Sequence, residues 1–157
     1  DISEKVFEDD KVATLHFRMI PYDEPFSFGD ELSLTGREKW CSGSFFVLKN
    51  SVVNTGESWR AGYDPTRYFF DEDFLNSYDD WDLQTRIRKG GYYTAYTNKA
   101  GYQHKDSHTQ QKIVDETRVD RDKQNREYFK EKHGEYPEDM YQRLFPEQMS
   151  QAWKPFP

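Results

Sequence analysis

Residues 78–97 read Tyr78-Asp79-Asp80-Trp81-Asp82-Leu83-Gln84-Thr85-Arg86-Ile87-Arg88-Lys89-Gly90-Gly91-Tyr92-Tyr93-Thr94-Ala95-Tyr96-Thr97. Acids open this stretch, apolar or aromatic side chains recur at Tyr78, Trp81, Leu83 and Ile87, and Arg86, Arg88 and Lys89 close it. That charge order complements a helix dipole, so a helix is predicted over Tyr78 to Lys89, stopped by Gly90-Gly91. Tyr92 to Thr97 is rich in β-formers and reads as a strand, with Gly101-Tyr102-Gln103-His104 as another short extended piece. A helix, two glycines and a strand in succession predict an α/β fold, a few strands of mixed direction backed by helices.

Working outward, Val12 to Ile20 alternates loosely and reads as a strand that ends at Pro21. Pro21 to Lys39 has no period and reads as a long surface loop or short irregular pieces. Trp40 to Lys49 carries small residues before an apolar run suited to a buried strand, and Asn50 or Ser51 would cap a short helix stopped by Gly56. Thr109 to His133, closed by Gly134, is highly charged with sparse apolar positions at Ile113, Val114, Val119, Tyr128 and Phe129. It reads as one or two exposed helices covering the sheet, a solvated face without chemistry. The tail, residues 135–157, holds a short amphipathic piece and a docking strap ending in Trp153, Pro155, Phe156 and Pro157.

The 157 residues suit one domain with one modest core. Hydrophobic residues make up only 34%, against 32% charged, but rings at 17% can bury a large apolar area and can also pack on sugar faces. A formal charge of −7 without a basic block argues against nucleic acid or anionic membranes as partners. Cys41 is the single cysteine, which excludes an internal disulfide and a thiolate metal cage and suits a reducing, cytoplasmic setting. No run of about 18 apolar residues exists, so no transmembrane segment is expected. Asp1-Ile2-Ser3-Glu4 lacks the features of a leader and reads as a cut point.

The acids and rings are densest from Phe69 to Asp82. At the start of a helix the dipole lowers a carboxylate pKa, while burial and a like-charged neighbour raise it, so the balance at Asp79-Asp80 is open. Such a carboxylate can take a proton from a bound hydroxyl, an assistance worth about 10²–10⁴ in rate, or it can simply cap the helix. Asp82 and Arg86, four residues apart, read as a structural ion pair of about 0.2–0.5 kcal/mol. His104 and its rival His108 read first as ordinary surface histidines. Among Trp40, Trp59 and Trp81, the first and last flank the acidic cluster and are the better candidates for a sugar platform.

Phe70-Asp71-Glu72 with Phe74, then Asp79-Asp80-Trp81-Asp82-Leu83, Arg86, Arg88, Gly91-Tyr92 and His104, resemble the C-terminal half of family 2 glycosyltransferases, inverting enzymes of the GT-A fold. Trp40-Cys41-Ser42-Gly43-Ser44-Phe45-Phe46 is similar to the family's small-residue strand before the acceptor helix, and Asn125, Phe129, Lys132 and Gly134 to a frequent closing motif. The resemblance runs from about Val12 to Gly134 and is most specific from Asp79 to His104; Asp79 departs from it, standing where Glu is more frequent.

The resemblance implies that Asp80 is the base that deprotonates an acceptor hydroxyl, and that Asp79, Trp81, Trp40, Gly43 and Ser44 help to bind substrate. It implies that His104 completes the coordination of a Mn²⁺ or Mg²⁺ bridging the diphosphate of a nucleotide-sugar donor. The other ligands would come from an Asp-x-Asp motif in a donor-binding half that precedes the matched region and has no room upstream of Val12. Asp71-Glu72-Asp73 spells that pattern but occupies the family's Phe-Asp-Glu position. The chain is therefore expected to be the acceptor half of a GT-A glycosyltransferase, inactive alone and catalytic with a separate donor-binding half. The alternative is a non-catalytic carbohydrate-binding or structural module.

Overall fold

The computed structural model describes residues 2–33, 45–49, 70–74, 77–104 and 117–144. Its centre is a pair of parallel strands, β1 (Val12–Pro21) and a second strand, Tyr93–His104. Leu32–Ser33 forms the short β2 and Phe46–Leu48 forms β3, so that Tyr93–His104 is β4 and the sheet order is β2-β4-β1-β3. Both outer strands run antiparallel to their neighbours. The described helices are α1 (Ile2–Phe7), α2 (Asp79–Lys89), α3 (Thr117–His133) and α4 (Pro137–Leu144). No helix among the described residues is long and apolar enough to cross a membrane.

Helix α2 ends as its sequence dictates. The Gly90 N–H donates to the Arg86 carbonyl at 2.9 Å, the Tyr92 N–H to the Ile87 carbonyl at 3.1 Å, and Gly91 takes φ +82°, which an L side chain resists. The Tyr93 N–H then donates to the Lys11 carbonyl at 2.9 Å and begins the parallel pairing with β1.

The two extended pieces predicted at Tyr92–Thr97 and Gly101–His104 are one strand with a bulge. Phe17 pairs with Thr97 and Arg18 with Gly101, so Asn98, Lys99 and Ala100 leave the ladder. The bulge holds the loop that follows β1: Asn98 Oδ1 accepts the Glu31 N–H at 2.8 Å and the Asn98 carbonyl accepts the Gly29 N–H at 3.0 Å.

Three hydrophobic clusters lie among the described residues. Val6, Val12, Leu15 and Ala95 pack with Phe7 and Phe17 under α1, while Ala13, Leu83 and Ile87 pack with Phe46, Phe70 and Tyr92 under α2. His16 stacks on Phe46 at 5.1 Å while its neighbour Phe17 joins the α1 cluster, so the two clusters lie on opposite faces of the sheet. The third, Phe74, Phe129 and Met140 with Tyr78, Trp81, Tyr128 and Leu144, joins α2, α3 and α4 away from the sheet. Rings carry much of this burial, as the composition requires.

Other expectations change in detail. β3 is half-buried rather than buried, and among the described residues β1 is its only partner in the sheet. Helix α1 was not expected, since six residues are too few for a periodic signal. Trp40 to Ser44, the helix expected after Asn50, Trp59, His108 and the terminal strap lie outside the described residues.

A Cβ built on Gly101 would sit 2.8 Å from the Arg18 carbonyl oxygen and 3.1 Å from Ile20 Cδ1, in the middle of the central strand pair. Gly101→Ala is expected to cost about 1–3 kcal/mol, measured by urea denaturation, because backbone must move to admit the methyl group.

A candidate acidic site at the start of helix α2

The Gly90-Gly91 turn reverses the chain, so α2 runs back over the sheet and directs its first turn toward the end where β1 and β4 finish. An 11-residue helix rises about 16 Å, and the ten residues of β1 span about 33 Å. The first turn thus lies over the middle of the sheet. It carries Asp79 and Asp80, both half-buried, and Asp80 Oδ1 accepts the Trp81 N–H at 2.9 Å. His104 stands exposed at the far end of β4, paired with Pro21. The sequence-derived base and metal ligand therefore sit on different elements, Asp80 over the middle of the sheet and His104 at the end of β4.

Trp81 is half-buried in the third cluster, with its ring 6.3 Å from Tyr78 and 5.5 Å from Tyr141 of α4. It welds α2 to α4, the role most tryptophans play. Trp40, Gly43 and Ser44 lie outside the described residues.

Within the same first turn, Asp82 is fully buried and accepts from three cationic or imidazole partners. Arg86 Nε lies 2.7 Å from Oδ2, and Lys132 Nζ and His133 Nε2 each lie 2.8 Å from Oδ1. Lys132 also pairs with Asp71, whose Oδ2 accepts the Tyr128 hydroxyl at 3.0 Å and whose Oδ1 accepts the Asp73 N–H at 3.0 Å. Lys132 thus bridges two carboxylates, one on α2 and one on the loop before it.

Two acids and two permanent cations give this cluster charge balance. Burial alone would raise the Asp82 pKa, but the His133 hydrogen bond, Arg86 and Lys132 outweigh it and hold the group at about 2. At Asp71 burial is likewise outweighed, by Lys132, the Asp73 N–H and Tyr128, and the pKa is lowered. The Tyr128 hydroxyl is pushed up by burial and by the Asp71 charge whose proton donor it is. Burial lowers the His133 pKa, with Lys89 and Lys132 acting the same way against Asp82. His133 is therefore neutral at pH 7, with Nε2–H donating to Asp82 and Nδ1 accepting from Lys89 Nζ at 3.1 Å.

The ion pair expected between Asp82 and Arg86 is present, but buried and shared rather than on the surface, so the estimate for an exposed pair does not apply. The segment expected to be a solvated face without chemistry is corrected more strongly: Asn125 and Phe129 of α3 are buried, and Lys132 and His133 complete the Asp82 cluster. Asn125, Phe129 and Lys132 recur at i, i+4 and i+7, the spacing of one helix face, which marks the inward side among many charges.

Among the described residues no group of three or more His, Cys, Asp or Glu side chains could hold a metal ion. His104 would need ligands from elsewhere, and no step below is routed through a metal. Comparison with protein families, with curated proteins and with solved structures finds no match to this chain.

Asp82 titrates lower in the folded protein than in the unfolded chain, so its contribution is complete above about pH 5 and fades as pH falls through 2. The wild type is expected to lose about 2 kcal/mol from this group between pH 5 and pH 2, a loss missing in Asp82→Asn, by urea denaturation at each pH. Lys132→Met, which strands two buried carboxylates, is expected to cost about 3–5 kcal/mol at pH 7 in the same assay.

Proposed function

We propose that this chain is the acceptor side of an inverting glycosyltransferase, with Asp80 as the general base. The observation that carries the reading is the ordered set of residues from Phe70 through Asp80 and Gly91-Tyr92 to His104, with its carboxylate pair on the first turn of the helix that leads directly into β4. What supports the assignment within that set is the difference between neighbouring acids. Asp82 is buried and committed to Arg86, Lys132 and His133, whereas Asp80 is half-buried with its Oδ1 held by the adjacent amide. A base must reach a substrate proton, and of the two only Asp80 has exposed surface from which to do so.

In this reading Asp80 accepts the proton of an acceptor hydroxyl as that oxygen bonds to the anomeric carbon of a nucleotide sugar. The nucleoside diphosphate leaves from the opposite face with the bonding electron pair, and configuration inverts in one step. Asp79 and Trp81, with Trp40, Gly43 and Ser44, would line the acceptor side. The donor, with a Mn²⁺ or Mg²⁺ ion for which His104 is one ligand, would be held largely by a separate donor-binding half.

A carbohydrate-binding module is the second reading, favoured by the display of Tyr22, Phe26, Phe28 and Phe45, each more than half exposed. Saturable glycan binding by a complete protein that ignores nucleoside diphosphates would select it.

Asp80→Asn in the complete protein is expected to lower sugar transfer by about 10²–10⁴ with an unchanged circular dichroism spectrum, and full retention of transfer would remove Asp80 from the role. Calorimetric titration of this chain alone with UDP, GDP and dTDP, with and without Mn²⁺, is expected to show no binding. Metal-dependent binding would place the donor site within these 157 residues.

A further inference from the structure

Helix α2 begins in an unusual way. Its N-cap residue is Tyr78, which makes no side-chain capping bond and adopts φ 67°, ψ −3°, the one non-glycine positive φ among the described residues. An aromatic residue gains nothing locally from that conformation, which a Cβ disfavours. Ser77, a far better capping residue, stands immediately before it, and Asp80 stands three residues after Ser77. Ser77-Tyr78-Asp79-Asp80 is thus the pattern of a capping box. A helix started at Ser77 would use the serine hydroxyl on the Asp80 N–H and the Asp80 carboxylate on the Ser77 N–H.

Helix α3 withholds Ser77 from that use. The Ser77 hydroxyl donates to Asp122 Oδ1 at 2.7 Å, and Asn125 Nδ2 donates both to the Ser77 hydroxyl, at 2.8 Å, and to the Ser77 carbonyl, at 3.1 Å. Asn125 is buried, so the contact is built into the packing between α3 and the turn. Its bond to the Ser77 carbonyl fixes the peptide plane before Tyr78, and the Asp82 N–H, donating to the Tyr78 carbonyl at 2.8 Å, fixes the plane after it. With both planes held, Tyr78 has no choice but the left-handed region. Its ring is meanwhile retained in the cluster of Phe74, Phe129 and Met140.

We propose that Asn125, aided by Asp122, is a positioning residue that sets where α2 begins and so keeps the Asp80 carboxylate out of a capping box with Ser77. Two helix starts compete over the same residues, and α3 decides between them. The consequence for catalysis rests on the reading of Asp80 as a base: with Oδ1 already on the Trp81 N–H, a second bond from the Ser77 amide would take the oxygen that is to receive the proton of an acceptor hydroxyl.

The test uses the full chain labelled for NMR, where a positive φ gives a strong nuclear Overhauser effect between a residue's own N–H and Hα. Wild-type Tyr78 is expected to show it, Ser77→Ala to keep it, because Asn125 still holds the carbonyl before Tyr78, and Asn125→Ala to lose it and to gain one helical residue, with the Ser77 hydroxyl now capping on the Asp80 N–H. A cap gained at Ser77 is what mere loss of packing would not produce. A Tyr78 that keeps positive φ in Asn125→Ala, or loses it in Ser77→Ala, overturns the proposal. If Asn125→Ala does not fold, Asn125→Leu, which keeps the volume and removes both donors, gives the same readout. In the complete protein Asn125→Ala is expected to lower kcat at least about tenfold with KM within about twofold, while Ser77→Ala keeps both. A wild type without transfer would refute the glycosyltransferase reading and leave the resonance result to decide the helix start.

Discussion

The Asp82 carboxylate is the constraint on which the described parts of this fold converge. It lies on α2, its partners Lys132 and His133 end α3, and Lys132 reaches on to Asp71 in the segment before α2. Removing an ionised carboxylate from water is costly, and only near-complete coordination by cations and N–H donors makes it tolerable. Those donors must arrive from particular directions, so the cluster fixes the angle and depth at which α3 meets α2 in a way that an apolar contact of equal area would not. A chain with 34% hydrophobic residues has few aliphatic side chains with which to define such a junction. Rings supply the area here, through Phe74, Phe129 and Met140 with their neighbours, and the buried charges supply the register.

The same constraint separates the roles of three nearby acids. Successive residues on a helix point about 100° apart. Asp82 turns inward and is fully buried, while Asp79 and Asp80 on the same first turn stay half-buried. One residue type in one stretch thereby becomes a structural anchor at one position and a candidate proton acceptor at another. Environment makes the assignment, as it does wherever two carboxylates of a site are held in unlike surroundings.

Much of the fold was legible because it follows from local rules. The charge order of residues 79–89 and the glycines that follow specify α2 and its end, Pro21 ends β1 at the position expected, and an α/β arrangement follows from their succession. The bulge in β4 was misread as a gap between two strands, since Asn98 and Lys99 are poor strand formers and the loop that binds them lies 67 positions away in sequence. The burial of Asn125, Lys132 and His133 was hidden for a related reason. In a segment so highly charged, an inward face is defined by partners on α2 and its preceding loop, and a local pattern carries no trace of them. Tyr78 is the clearest case: every local preference places a capping residue at Ser77, and a contact from α3, 48 positions further on, reverses it.

A site-resolved carboxyl titration of the intact chain, following each aspartate side-chain carbon by NMR, tests the account most directly. The buried cluster requires Asp82 to titrate at about 2, with Asp71 also below the usual carboxylate range. An Asp82 that titrates at or above its ordinary value would mean that Lys132, Arg86 and His133 do not converge on it. The junction of α2 and α3, and with it the separate roles of Asp82 and Asp80, would then have to be given up.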